Sequence, residues 1–178
     1  MATLRGRGAV RLLRRASTAA VVLALFAAGC TDDAEGFRDE EGTVVAAASV
    51  SVFELQTGDC LDPDPELAGE VDLMPVVPCD QPHAQEVFAA VDLDEQPYPG
   101  AEAVARQADG ACLGALETSL DLSLADGYFV SYLLPTFVGW NGEPPDRRVI
   151  CVLVFPDRET AIGSVVAGTA SPPISGGA

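Results

Sequence analysis

The stretch GAEAVARQADGACLGALETSL, Gly100 to Leu120, decides the fold. Val104, Ala108, Cys112 and Leu116 recur every four residues on one slowly drifting face, while Glu102, Arg106, Gln107 and Asp109 lie elsewhere, so the segment reads as a helix with one packed side. Cys112 lies on that side, where a disulfide can staple the helix to a sheet. Gly110 and Gly114 each cost about 1 kcal/mol relative to Ala in a helix, and the expectation is that they let a strand approach closely.

The segments around the helix read as strands. Glu86 to Leu93 (EVFAAVDL) is the clearest, with Val87, Ala89, Val91 and Leu93 opposite Phe88 and Ala90; both faces are apolar enough for a central position. Arg148 to Phe155 (RVICVLVF) is a buried strand carrying Cys151, and Val71 to Val77 is a short one ended by Pro78. Thr43 to Leu55 (TVVAAASVSVFEL) is β-branched and partly alternating, with Val50, Val52 and Glu54 expected to share a strand face. Thr57-Gly58-Asp59 is a turn that delivers Cys60, and Asp62-Pro63-Asp64-Pro65 is a loop. Tyr128 to Trp140 is an apolar run interrupted by Pro135, followed by a long hairpin loop, Asn141 to Pro145. The fold class is therefore α+β: a small antiparallel sheet with one main helix, cross-linked by two disulfides.

Before this domain the chain changes character. Met1 to Arg15 holds five arginines and no acidic residue, and Ala16 to Gly29 is an uncharged run of 14 residues, short of the roughly 20 that span a bilayer. Small residues, Ala27-Ala28-Gly29, then precede Cys30. Basic, apolar and small is the order of a secretory signal peptide, and a cysteine directly after it resembles the lipobox of bacterial lipoproteins, with Ala27 where Leu is most usual. Residues 1–29 are expected to be a lipoprotein signal and Cys30 to carry the lipid. The domain would then sit on the outer face of the cytoplasmic membrane, with Arg14-Arg15 leaving Sec or Tat export open. Thr31 to Gly42 is acidic and aperiodic, so residues 30–42 read as a tether, residues 43–170 as one domain, and residues 171–178 (SPPISGGA) as a flexible tail.

Every acidic residue lies after Cys30. The part beyond the signal holds five arginines against 27 acidic residues, a net charge of −22 over 149 residues, and the chain contains no lysine. Such a domain is repelled by nucleic acid and by anionic membrane surfaces. Its acidic face would attract basic partners or divalent cations, or serve only as a solvated surface.

With Cys30 lipidated, four cysteines remain: Cys60, Cys79, Cys112 and Cys151. An even number outside the cytoplasm points to disulfides. Three pairings exist. Cys60–Cys79 with Cys112–Cys151 is favoured, because the first pair flanks one compact unit and the second joins the helix to a later strand. On the chain-entropy model the two loops contribute roughly 3 and 4 kcal/mol. No Cys-x2-Cys pair announces a zinc knuckle, and no thiol is left over for a Cys–His nucleophile.

The order of features resembles one family. Gly58-Asp59-Cys60, Val77-Pro78-Cys79, Pro82-His83 and Glu86-Val87 are followed by Cys112, Pro135-Thr136, Trp140, Asp146-Arg147 ahead of Cys151, and Gly163-Ser164. This succession, from Phe53 to Val165, is similar to the septum formation domain of actinobacterial envelope proteins, many of them lipoproteins or membrane-anchored. The chain departs from it at Ala84-Gln85, where members often carry Asp-Ala, and in its longer loop after Trp140. The resemblance implies a link to division and no general biochemical activity.

His83 is the only histidine, and Asp80, His83 and Glu86 lie within seven residues. A metal or general-base centre can be drawn from them. The plainer reading has the His83 ring hydrogen-bonded to a backbone carbonyl near the Cys60–Cys79 bridge. Trp140, with Tyr128, Phe129, Tyr132 and Phe137 before it, offers either a binding groove or core packing, and Asp146-Arg147 a turn with a local ion pair. His83, Glu86, Trp140, Asp146 and Arg147 together form the expected binding surface, with no catalytic residue and no cofactor assigned. The expected function is that of a non-enzymatic, lipid-anchored envelope protein that binds another envelope or division protein or a wall component. The alternatives are a His83-centred hydrolase or metal-binding protein, and a structural or stress lipoprotein without a dedicated ligand.

Overall fold

The computed structural model describes residues 36–62, 70–94, 96–122, 127–155 and 160–170. The expected signal peptide, Cys30, most of the Pro63-containing loop and the tail after Ala170 lie outside the described residues. Six strands form one antiparallel sheet: β1 (Ala48–Ser51), β2 (Cys60–Leu61), β3 (Leu73–Val77), β4 (Gln85–Asp92), β5 (Phe129–Leu133) and β6 (Arg148–Val154), in the order β1-β3-β2-β4-β6-β5. The main helix is α1 (Ala101–Leu120), and a single-turn helix, α2 (Phe137–Trp140), lies in the connection from β5 to β6. The α+β expectation holds. Among the described residues no helix is long and apolar enough to cross a membrane.

The alternation of β6 builds two apolar layers. Val149, Cys151 and Leu153 meet Ala108, Cys112 and Leu116 of α1, together with Phe88, Phe155 and Ala161. Ile150 and Val152 join Val50, Leu61, Met74, Val76 and Val87 in the other layer, to which the N-terminal segment contributes Val44, Leu55 and Phe37. Val104, Ala108, Cys112 and Leu116 are the buried residues of α1, as its spacing requires. Val104 and Leu116 each contribute roughly 1.5–3 kcal/mol relative to exposure. Both favoured disulfides form, Cys60–Cys79 between β2 and the end of β3, and Cys112–Cys151 between α1 and β6.

Four expectations change. The Thr43–Leu55 strand is only Ala48–Ser51, because Ser51 starts a 3-10 turn, Val52–Glu54. Its Oγ accepts from the Phe53 amide and the Glu54 carboxylate accepts from the Ser51 amide, a reciprocal cap that draws the backbone out of the ladder and leaves Phe53 63% exposed. In β4 the register shifts between Val87 and Ala89. Val87 therefore packs in the N-terminal layer while Phe88, Ala89, Val91 and Leu93 pack on the α1 side, not alternately as plain period-two counting gives.

Gly110 and Gly114 face open space, with nothing within 4 Å of a Cβ at either, so they admit no strand. Gly110→Ala and Gly114→Ala should each raise stability by up to about 1 kcal/mol, a gain of a few degrees in the thermal midpoint; no gain at either site would contradict the open surroundings. Finally, the expected tether is docked from Phe37 onward. Phe37 packs on the N-terminal layer, Arg38 pairs with Val44 in an isolated bridge, and its guanidinium reaches Asp59.

Candidate functional site

The turn Thr57-Gly58-Asp59 sets Cys60. Gly58 takes a φ of +95°, open to glycine and strained for other residues. Arg38 then grips the buried Asp59 carboxylate with both terminal nitrogens, at 2.6 and 2.7 Å, while the Gln56 amide donates to the same carboxylate at 2.8 Å. The hydrogen bond to Asp59 raises the Arg38 guanidinium pKa above its ordinary value, against the opposing effect of burial. The next residue, Cys60, is delivered into the sheet opposite Glu86.

Glu86 is 0% exposed. It pairs with Cys60 on one side and with Leu153 on the other, which puts it on the α1 face of the sheet. An isolated carboxylate in that position would be strongly disfavoured. Three donors from one later segment satisfy it: the Ser164 hydroxyl at 2.5 Å, the Val165 amide at 2.7 Å and the Val166 amide at 3.2 Å. The segment, residues 160–170, is itself tied down. Ala161 exchanges backbone hydrogen bonds with His83 at 3.1 and 2.9 Å, and the Gly163 amide donates to the Cys79 carbonyl at 2.6 Å. Gly163 has a φ of +91°, and a Cβ there would lie 2.3 Å from the Thr169 carbonyl oxygen, so no larger residue closes this clasp.

His83 lies beneath the same clasp and is also 0% exposed. Its Nδ1 is 2.9 Å from the Gln81 carbonyl oxygen, which only accepts, so Nδ1 carries the proton. Its ring edge meets Phe155. Nε2 is buried with no hydrogen-bond partner among the described residues, an arrangement that costs roughly 1–3 kcal/mol. The ligand atoms of Cys60, His83 and Glu86 all lie within 4.8 Å of one another. Asp80, the third member of the sequence-based triad, is exposed and outside this group.

Trp140, Asp146 and Arg147 form a second group. The Trp140 indole is 1% exposed and donates to the Gln96 carbonyl at 3.0 Å. The Arg147 guanidinium stacks 4.1 Å over the indole and donates to the Trp140 carbonyl, while Tyr98 meets both Trp140 and Phe137 edge-on. Asp146 accepts from the Arg148 amide and not from Arg147, so the expected local ion pair is absent among the described residues. Phe137 and Val138 stand 60% and 78% exposed at the edge of this group.

The two groups are not one surface. Glu86 and Asp92 mark opposite ends of the β4–β6 ladder, and Arg148 pairs with Asp92. Six strand residues put the groups about 20 Å apart. Two partners escaped sequence reasoning. Arg38 sits in an acidic run that reads as solvated, and Tyr98 sits between two prolines with no periodicity to place it. Ser164 stood in the family pattern without a role, and its partner lies 78 residues away.

The fold and its buried polar clasp define a disulfide-stapled α+β module with its acid and imidazole turned inward. A family model described as septum formation matches residues 28–124 and 57–171, and together these cover most of the chain. The chain belongs to the septum formation family. No curated protein and no solved structure matches it.

Proposed function

We propose that the protein is a non-enzymatic, lipid-anchored envelope protein that binds another envelope protein or a wall component during septum formation. The septum formation family is not known as one of enzymes. The observation that carries the reading is the inaccessibility of the only His–Glu pair. His83 and Glu86 are both 0% exposed beneath residues 160–170, so a hydrolase centred on them would first have to open the clasp. Phe137 and Val138 face solvent beside the preorganised Trp140–Arg147 pair. An exposed aromatic and its apolar neighbour, held beside a half-buried arginine, suit a protein or glycan contact.

The anchor would be a diacylglycerol on Cys30, with the domain on the outer face of the membrane. Two measurements test this reading. Mass spectrometry of the protein from native membranes should find Cys30 lipidated and N-terminal; an unmodified Cys30 overturns the anchoring. Crosslinking in dividing cells should recover a partner that a Phe137→Ala/Val138→Asp variant loses. No reproducible partner, with unaltered septa on deletion, would favour a structural or stress role.

A further inference from the structure

The group formed by Cys60, His83 and Glu86 has a chemistry that binding through the Trp140 edge does not use. In the bridged protein it does not fit a metal. The Cys60 sulfur is spent on Cys79, and Glu86 already accepts three hydrogen bonds. His83, however, is arranged as metal-binding histidines are: one ring nitrogen is held by a backbone carbonyl, leaving the other buried and, among the described residues, unpartnered. The sequence argument against zinc rested on the lack of closely spaced cysteines. The fold overrides it by bringing Cys60, which is bonded to Cys79, to within 4.8 Å of His83 from a separate segment.

We propose that opening the Cys60–Cys79 bridge creates a site for a divalent zinc-type cation, held by the Cys60 and Cys79 thiolates and His83 Nε2. The bridge is approachable from one side. Cys79 is half-buried, whereas Cys60, Cys112 and Cys151 are fully buried. A dithiol reductant attacks the Cys79 sulfur, forming a mixed disulfide and releasing Cys60 as the leaving thiolate beside His83. The reductant's second thiol then displaces Cys79. Two electrons and two protons have passed to the bridge, and the reductant leaves as a disulfide. Zinc displaces the proton from each thiol, so one cation enters and two protons leave. Two thiolates and an imidazole are a donor set zinc favours. The domain would thus be closed at this point by a sulfur–sulfur bond under oxidising conditions and by a metal under reducing ones.

The test uses the full chain purified in detergent, treated anaerobically with limiting dithiol until alkylation and mass spectrometry show one bridge open. Cys60 and Cys79 should be the alkylated pair. Zinc alone is then titrated against a chromophoric chelator, and cobalt(II) is added to a parallel sample. The expected result is one zinc per chain in the half-reduced protein and no tight binding in the oxidised one. Cobalt should give an intense near-ultraviolet thiolate-to-metal absorption.

His83→Ala should weaken zinc binding by more than ~10-fold, since even outer-shell changes at metal sites produce that much. Near-ultraviolet circular dichroism of the buried Trp140 reports folding throughout. If half-reduction loosens the domain, zinc should restore the signal in the parent and not in His83→Ala. Failure to bind zinc, equal binding by the oxidised protein, or binding unaffected by His83→Ala would each overturn the proposal.

Discussion

Replacing both Cys112 and Cys151 with alanine is expected to lower stability by about 4 kcal/mol, the largest loss from any single cross-link in the domain. The pair spans 39 residues, against 19 for Cys60–Cys79, so its removal frees more of the unfolded chain. The longer staple also joins the centre of α1 to the middle of β6, and both cysteines are fully buried in the α1 layer. Alanine there loses apolar volume as well. Removing Cys60–Cys79 should cost about 3 kcal/mol on the same model. Denaturant unfolding of the two double variants should preserve that order. A milder effect for Cys112→Ala/Cys151→Ala would mean that the helix is held by its apolar face alone.

Glu86→Ala is expected to cost about 3 kcal/mol, because the Ser164 hydroxyl and the Val165 and Val166 amides lose their common acceptor together. In a domain of this size that lowers the thermal midpoint by roughly 10 °C. Glu86→Gln should fall between the parent and alanine, since it keeps one carbonyl oxygen but points an amide N–H at converging donors. Hydrogen exchange gives the local readout: the Val165 and Val166 amides should exchange faster in Glu86→Ala while α1 amides exchange only as global stability dictates. Unchanged protection at Val165 and Val166 would show that backbone contacts at Ala161 and Gly163 hold the clasp without the carboxylate.

The sequence shows most clearly what is repeated or apolar. Val104, Ala108, Cys112 and Leu116 declare their face by spacing, and Arg148 to Phe155 reads as a strand because both its faces are apolar. Where a short-range polar contact decides the conformation, the pattern misleads. Ser51 and Glu54 cap each other and end a strand that β-branched composition would continue. The bulge at Phe88 leaves no signal in composition, since Phe, Ala and Val suit either face.

The site is harder to read because its partners are remote. His83 and Glu86 are conspicuous, but nothing nearby says that Glu86 is buried. Its donors come from a Gly-Ser turn near the other end of the domain, and a carboxylate in a strand normally suggests a solvated face. The two halves of the expected binding surface look adjacent only because sequence order hides the length of the β4–β6 ladder.

The order of strands has a consequence for synthesis. β6 is an interior strand of the sheet, between β4 and the edge strand β5, yet is the last strand along the chain, and the segment that satisfies Glu86 follows it. A nascent chain that has emerged only as far as α1 can pair β1 to β4, but it presents the long edge of β4 with an unanswered acid at its start. It cannot close until nearly the whole polypeptide is available. Chains truncated before Arg148 should therefore persist as open, protease-sensitive species whose bare β4 edge invites pairing with other chains, and completion of the C-terminal part acts as the commitment step for folding.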